Sequence, residues 1–155
     1  MEKPIKILRP FNVFGETQSE KAVISELVEK FLNNSVVRIT KGNQTREFNY
    51  VGNTVNLIAQ VINTKSFFNN ITNISDGNEI TIKDLARKIK RITNSKSKLL
   101  IGGLKERPTE IYKMKASISK MKSFLNNKKK LISFEEALKK TIIWHKNKNK
   151  LNSIF

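Results

Sequence analysis

Ile5-Lys6-Ile7-Leu8-Arg9-Pro10-Phe11-Asn12-Val13-Phe14-Gly15 sets the architecture of the chain. It is mostly apolar without strict alternation, and it breaks at Arg9-Pro10-Phe11-Asn12 before resuming at Val13-Phe14. This reads as a short strand running into a loop. Strands of this kind sit inside parallel sheets with both faces covered. Here the neighbours must come from later in the chain or be absent.

Just after it, Thr17-Gln18-Ser19-Glu20 has the spacing of a capping box. It predicts a helix with Val23, Ile24, Leu27, Val28, Phe31 and Leu32 on one face, ended by Asn33-Asn34. Val36–Thr40 and Thr45–Val51 read as two strands joined by a turn at Lys41-Gly42-Asn43-Gln44. Asn53 is placed to cap a short helix that buries Val55, Ile58 and Ile62. Lys65–Asn70, with Phe67-Phe68, reads as a polar loop; Ile71–Ile74 is a strand and Asp76-Gly77-Asn78 a turn. Thr81 and Asp84 form a capping pattern before an inward face of Ile82, Leu85, Ala86, Ile89 and Ile92. Leu99–Ile101 is a strand closed by Gly102-Gly103, and a helix is expected near Ile118–Leu125. Ser133 and Glu136 open a last helix whose stripe is Phe134, Ala137, Leu138, Thr141, Ile142 and His145. Helices alternating with short strands make the fold α/β.

The 155 residues and 17.8 kDa suit one domain. There is no cysteine, which excludes disulfides, a thiol nucleophile and thiolate metal sites. No apolar stretch approaches a membrane span, and Met1-Glu2-Lys3-Pro4 does not read as a signal peptide, so the expected compartment is the cytoplasm. The formal charge of +17 invites a polyanion partner. Composition explains it more simply: 24 Lys, 18 Asn and 19 Ile dominate the chain, all with A/T-rich codons, against only 6 Arg. The lysines lack the aromatic interleaving of a base-stacking surface, so nucleic-acid binding is disfavoured.

No self-contained active site can be assembled. His145 is the only histidine and lies on an apolar stripe near a helix C-terminus, where a structural or dipole-stabilised role is expected. One histidine, no cysteine and scattered carboxylates make no metal set. Neither a Walker A loop nor GxGxxG occurs.

Six segments, in order, resemble the extended short-chain dehydrogenase/reductases that act on nucleotide sugars, the NAD-dependent epimerases and 4,6-dehydratases. Arg9-Pro10-Phe11-Asn12-Val13-Phe14-Gly15 is similar to the family's Arg-Pro-x-Asn-x-Tyr-Gly, and Gln44-Thr45-Arg46-Glu47-Phe48-Asn49-Tyr50-Val51 to its Thr-Arg-Asp-Phe-x-Tyr-Val strand. Thr72-Asn73-Ile74-Ser75-Asp76-Gly77, leading into Glu79–Ala86, resembles Tyr-Asn-Ile-Gly-x-Gly. Arg107-Pro108-Thr109-Glu110 resembles Arg-Pro-x-Asp/Glu, Ser119-Lys120 the Ser-Lys after it, and Phe134–Trp144 the closing helix.

The resemblance implies one Rossmann-sheet strand plus the small mixed α/β substrate-binding lobe, with the N-terminal dinucleotide-binding half absent. Residues 1–16 would end the Rossmann core, 17–146 form the nucleotide-sugar-binding lobe and 147–155 a basic tail. Arg46 and Arg107 would take the diphosphate, for which forked guanidinium groups are suited. Asn12 and Asn73 would hydrogen-bond phosphates or sugar, Arg38 and Ile39 line the base pocket, and Ile24 lie at the helix approaching the nucleotide. Val13 would touch the nicotinamide through its backbone. The duller alternatives are turn chemistry for the asparagines and salt bridges from the arginines to Glu47 or Glu110.

By the same resemblance the Gly-rich loop and the Tyr-x-x-x-Lys pair belong to the preceding half, so no catalytic residue is assigned. NAD is expected in full-length relatives and not on this chain alone. The expected partners are a nucleoside diphosphate sugar and a separately encoded NAD-binding half, with self-association as a further expectation. The alternative function is a non-catalytic nucleotide-sugar-binding or docking module. Several positions depart from the family pattern: Gly52-Asn53, Ser75, Ser117 and Leu125–Lys129.

Overall fold

The structure, a computed structural model, describes residues 5–33, 36–64, 70–125 and 131–152. Of the expected Lys65–Asn70 loop, residues 65–69 with Phe67-Phe68 lie outside these, as do residues 126–130 and the last three residues, whereas Asn70 begins a strand.

The opening stretch forms β1 (Lys6–Pro10) and, after the break at Phe11-Asn12, β2 (Val13–Phe14). β1 pairs in parallel with β6 (Asn70–Ile74), Ile7 opposite Ile71, and β2 pairs in parallel with β5 (Asn49–Tyr50). Both partners come from later in the chain, as a parallel pair with a crossover requires.

One face of β1–β6 is covered by α2 (Val51–Ile62) and α4 (Ser119–Phe124), where Leu57, Val61, Ile74 and Met121 bury one another with Leu8 packed against them. The other face is bare: Ile5, Ile7 and Ile71 are 60%, 48% and 41% exposed. The larger core lies between α1 (Val23–Leu32), α3 (Ile82–Thr93) and α5 (Phe134–Asn152), and includes Phe14 and Phe48.

Three local expectations are corrected. The Thr17–Glu20 capping box does not form: Thr17 has φ +64°, Gln18 donates to the Val13 carbonyl at 2.7 Å, and α1 starts only at Val23. The Gly42 turn does not close a hairpin. β3 (Val37–Ile39) pairs in parallel with β8 (Leu99–Ile101), while β4 (Thr45–Glu47) sits between β7 (Glu79–Thr81) and β9 (Lys113–Met114). The intervening loop is held by α3: the Ile82 and Lys83 amides donate to the carbonyls of Gln44 (3.1 Å) and Gly42 (3.0 Å). These are the orphan N–H groups of a helix start, and the loop satisfies them.

In α2 the expected buried face is out of phase. Val55 and Ile62 are 59% and 52% exposed, and the helix buries Asn53, Thr54, Leu57 and Val61. Asn53 is not the cap; Tyr50 is. Its buried amide bonds both backbone groups of Ile132, at 3.0 and 3.1 Å, and so ties α2 to the entry of α5.

Other local readings hold. The Asp84 amide donates to Thr81 Oγ1 at 3.1 Å and that of Glu136 to Ser133 Oγ at 3.2 Å, so both caps form. Ala137, Leu138, Thr141, Ile142 and His145 are all buried on α5. His145 lies well before the end of that helix, which rules out the dipole reading. Its Nδ1 instead meets Glu29 Oε1 of α1 at 2.5 Å. Residues 147–152 continue α5.

Candidate functional site

Arg46 occupies the central strand of the β7–β4–β9 sheet, where two neighbours fix its backbone. Its side chain is largely withdrawn from solvent and pinned at three points. One terminal nitrogen donates to the carbonyls of Thr45 (2.8 Å) and Ile111 (2.6 Å), and the other to Glu110 Oε1 (2.7 Å). The guanidinium is therefore held before any ligand arrives, while it still has donors to spare.

Arg107 and Glu110 are the ends of one turn, in which the Glu110 amide donates to the Arg107 carbonyl at 3.1 Å. Pro108 suits the second position of such a turn. The turn returns Glu110 to Arg46 and so brings Arg107 to the same place. Arg107 is exposed, with no side-chain acceptor among the described residues.

Both arginines line a single cavity of about 430 Å³. Its wall takes Val23, Glu26, Leu27 and Lys30 from α1, Arg38 and Ile39 from β3, Gln44 and Arg46 at β4, and Leu104, Lys105, Arg107 and Glu110 from the loop after β8; Asn12 and Lys21 complete the rim. Six basic side chains line it against two acidic ones. Such a wall concentrates positive potential in a concave, partly desolvated space suited to an anion.

Asn12, Arg38, Ile39, Arg46 and Arg107 are thus brought together, and Ile24, Asn73 and Val13 are not. Asn12 is held at φ +31° beside Met114. Ile24 is wholly buried in the core under α1. Asn73 lies on the bare face of β6, its amide donating to the Ser117 carbonyl at 3.2 Å. Val13 is in β2, and its carbonyl receives Gln18. Lys21, Lys105 and Leu104 escape sequence reading, because lysine is common in this chain and nothing local marks a lining position.

Behind the site, Glu47 is fully buried and accepts the Ser75 hydroxyl at 2.7 Å. The neighbouring Asn49 takes the Asp76 amide at 2.7 Å and donates to the Phe11 carbonyl, which joins the loop after β1 to the turn after β6. Burial raises the Asp76 carboxyl above its usual range. Among the described residues no three His, Cys, Asp or Glu side chains gather as a metal set, and no helix is long and apolar enough to cross a membrane.

Comparison with known proteins agrees with this picture. The NAD dependent epimerase/dehydratase family profile matches residues 2–75. A putative UDP-glucose 4-epimerase of Methanocaldococcus jannaschii is 34% identical over 93% of this chain and 46% of its own length. A UDP-N-acetylglucosamine 4-epimerase from Methanobrevibacter ruminantium, solved in complex with UDP-N-acetylmuramic acid, is 30% identical with a TM-score of 0.79, covering 91% of this chain and 46% of that one. A UDP-glucuronic acid 4-epimerase mutant from Bacillus cereus, in complex with UDP-4-deoxy-4-fluoro-glucuronic acid and NAD, is 25% identical with a TM-score of 0.82, over 93% of this chain and 46% of that one. The chain spans just under half the length of these relatives. By fold, motif order and these likenesses, it belongs to the NAD-dependent epimerase/dehydratase family.

Proposed function

We propose that these 155 residues are the nucleotide-sugar-binding portion of an NAD-dependent enzyme of the epimerase/dehydratase family. Arg46 and Arg107 receive the diphosphate, Arg38 and Ile39 flank the base, and Asn12 hydrogen-bonds phosphate or sugar. The observation that carries this reading is the convergence of Arg46 and Arg107, from distant segments, on one cationic cavity. Ile24, buried in the core, and Asn73, bonded to the Ser117 carbonyl, do not line this cavity. A 4,6-dehydratase is slightly favoured over an epimerase, on the Gly42-Asn43 approach to Thr45-Arg46 and the Arg107-Pro108-Thr109-Glu110 spelling.

NAD supplies hydride chemistry to the longer members of the family. The one contact assigned to it here is the Val13 backbone, and neither a GxGxxG loop nor a Tyr-x-x-x-Lys pair occurs in these 155 residues. The chain alone is therefore expected to bind a nucleotide sugar without converting it.

The bare Ile5, Ile7 and Ile71 face of a parallel pair supports the docking reading, in which a cofactor-binding half covers it. Residues 1–16 would then belong to that shared core and 17–146 to the binding lobe. Calorimetric titration of UDP-glucose and dTDP-glucose into the chain tests the proposal. Saturable heat with either is expected, and no heat from both at millimolar concentration would overturn it.

A further inference from the structure

The cavity holds more positive charge than the proposed ligand uses. Of its cations, Lys30 is paired with Glu26 at 2.5 Å and Arg46 with Glu110 at 2.7 Å. Arg107 answers the diphosphate and Arg38 the base side. Lys21, just before α1, and Lys105, in the loop after β8, remain. Neither has a side-chain acceptor among the described residues, and both are exposed.

The two lysines come from elements far apart in sequence. Lys21 stands at the turn where the Ala22 amide donates to the Ser19 carbonyl at 2.9 Å. The Lys105 loop is fastened to the end of β3 and the residue after it: the Leu104 amide donates to the Ile39 carbonyl at 3.1 Å and the Gly102 amide to that of Thr40 at 3.0 Å. Uncompensated like charges around one concave space repel one another, and a matching anion relieves that repulsion. A nucleoside diphosphate ester of a neutral sugar brings only the two diphosphate charges, which Arg46 and Arg107 already meet.

We propose that the ligand of this cavity bears a third anionic group and that Lys21 and Lys105 receive it. This rests on the diphosphate reading above and narrows it to a more highly charged ligand class. A carboxylate on the sugar and an additional phosphate on the nucleotide share this chemistry, and affinity separates them.

The test is calorimetry on the full chain at fixed ionic strength with UDP-glucose, UDP-glucuronate and UTP as probes. At least tenfold tighter binding of UDP-glucuronate than UDP-glucose assigns the group to a sugar carboxylate. The same margin for UTP alone assigns it to a phosphate. Substituting Lys21→Gln and Lys105→Gln together should erase the margin, bringing the ratio of the favoured probe's affinity to that of UDP-glucose within twofold of one, with unchanged circular dichroism showing that the fold persists. Equal affinity for all three probes, or a margin that survives the double substitution, overturns the third-anion proposal and leaves the diphosphate reading standing. No binding of any probe overturns both.

Discussion

Glu110 holds Arg46 at 2.7 Å from a position 64 residues further along the chain, and the same turn carries Arg107. The pair does two jobs. It neutralises a guanidinium that β4 would otherwise bury alone, and it fixes that guanidinium at the cavity wall. Removing either partner strands the other's charge in a site that is less than one-fifth exposed. Arg46→Ala is expected to cost about 2 kcal/mol of unfolding free energy. Removing both partners should cost less than the sum of the single changes. Urea denaturation of the two single variants and the double variant measures the coupling, and strict additivity would show that the contact contributes nothing.

Asn53 is a polar latch between α2 and the entry of α5. Asn53→Ala would leave the N–H and C=O of Ile132 without their partner and loosen the start of α5 from α2. A loss of about 2 kcal/mol is expected in chemical denaturation. A change within 0.5 kcal/mol, on the order expected of an ordinary surface substitution, would show that water takes over both bonds.

Gly42 has φ +68°, and a Cβ there would come within 2.8 Å of the Lys83 backbone nitrogen. Gly42→Ala should destabilise by more than about 1 kcal/mol, through backbone strain and lost contact with the start of α3. Thr81→Ala, which removes the adjacent cap, should cost about 1 kcal/mol. Thermal melts of both variants check this.

These positions also mark what the sequence could disclose. The caps at Thr81 and Ser133 are local, a side chain bonding an amide three residues on, so their pattern suffices to find them. The failed box at Thr17 has the same spelling, but Gln18 is drawn away to Val13 and Thr17 turns left-handed. Pairing of β3 with β8 joins segments about sixty residues apart, which no local period encodes. The buried face of α2 differs from the expected one because apolar residues surround that helix, and contact with β6 and α4 selects Leu57 and Val61. Of the site, the arginines were legible through family motifs, whereas Lys21 and Lys105 were hidden among 24 lysines.

Asp76 provides the pH dependence. Burial raises its carboxyl in the folded chain, so folding favours the protonated form. Its contribution is favourable below the unfolded carboxyl value and is lost as pH rises through the folded one. Asp76→Asn keeps the amide-accepting oxygen that meets the Asn78 N–H at 3.1 Å. The variant should melt higher than the parent at pH 7.5 and at the same temperature near pH 3. Glu135 behaves oppositely: Lys88 and Arg91 hold it below the usual carboxylate range, so its contribution is present above that range and fades on acidification. A lower melting temperature for Asp76→Asn at pH 7.5 would show that the carboxylate is favourable there.

In the proposed function Arg46 and Arg107 together grip a diphosphate, and comparing UDP with uridine isolates that group. In calorimetry, the Arg46→Ala and Arg107→Ala variants should each bind UDP at least tenfold more weakly than the parent, with uridine affinity unchanged within twofold. Undiminished UDP binding by both variants would show that neither guanidinium holds the diphosphate.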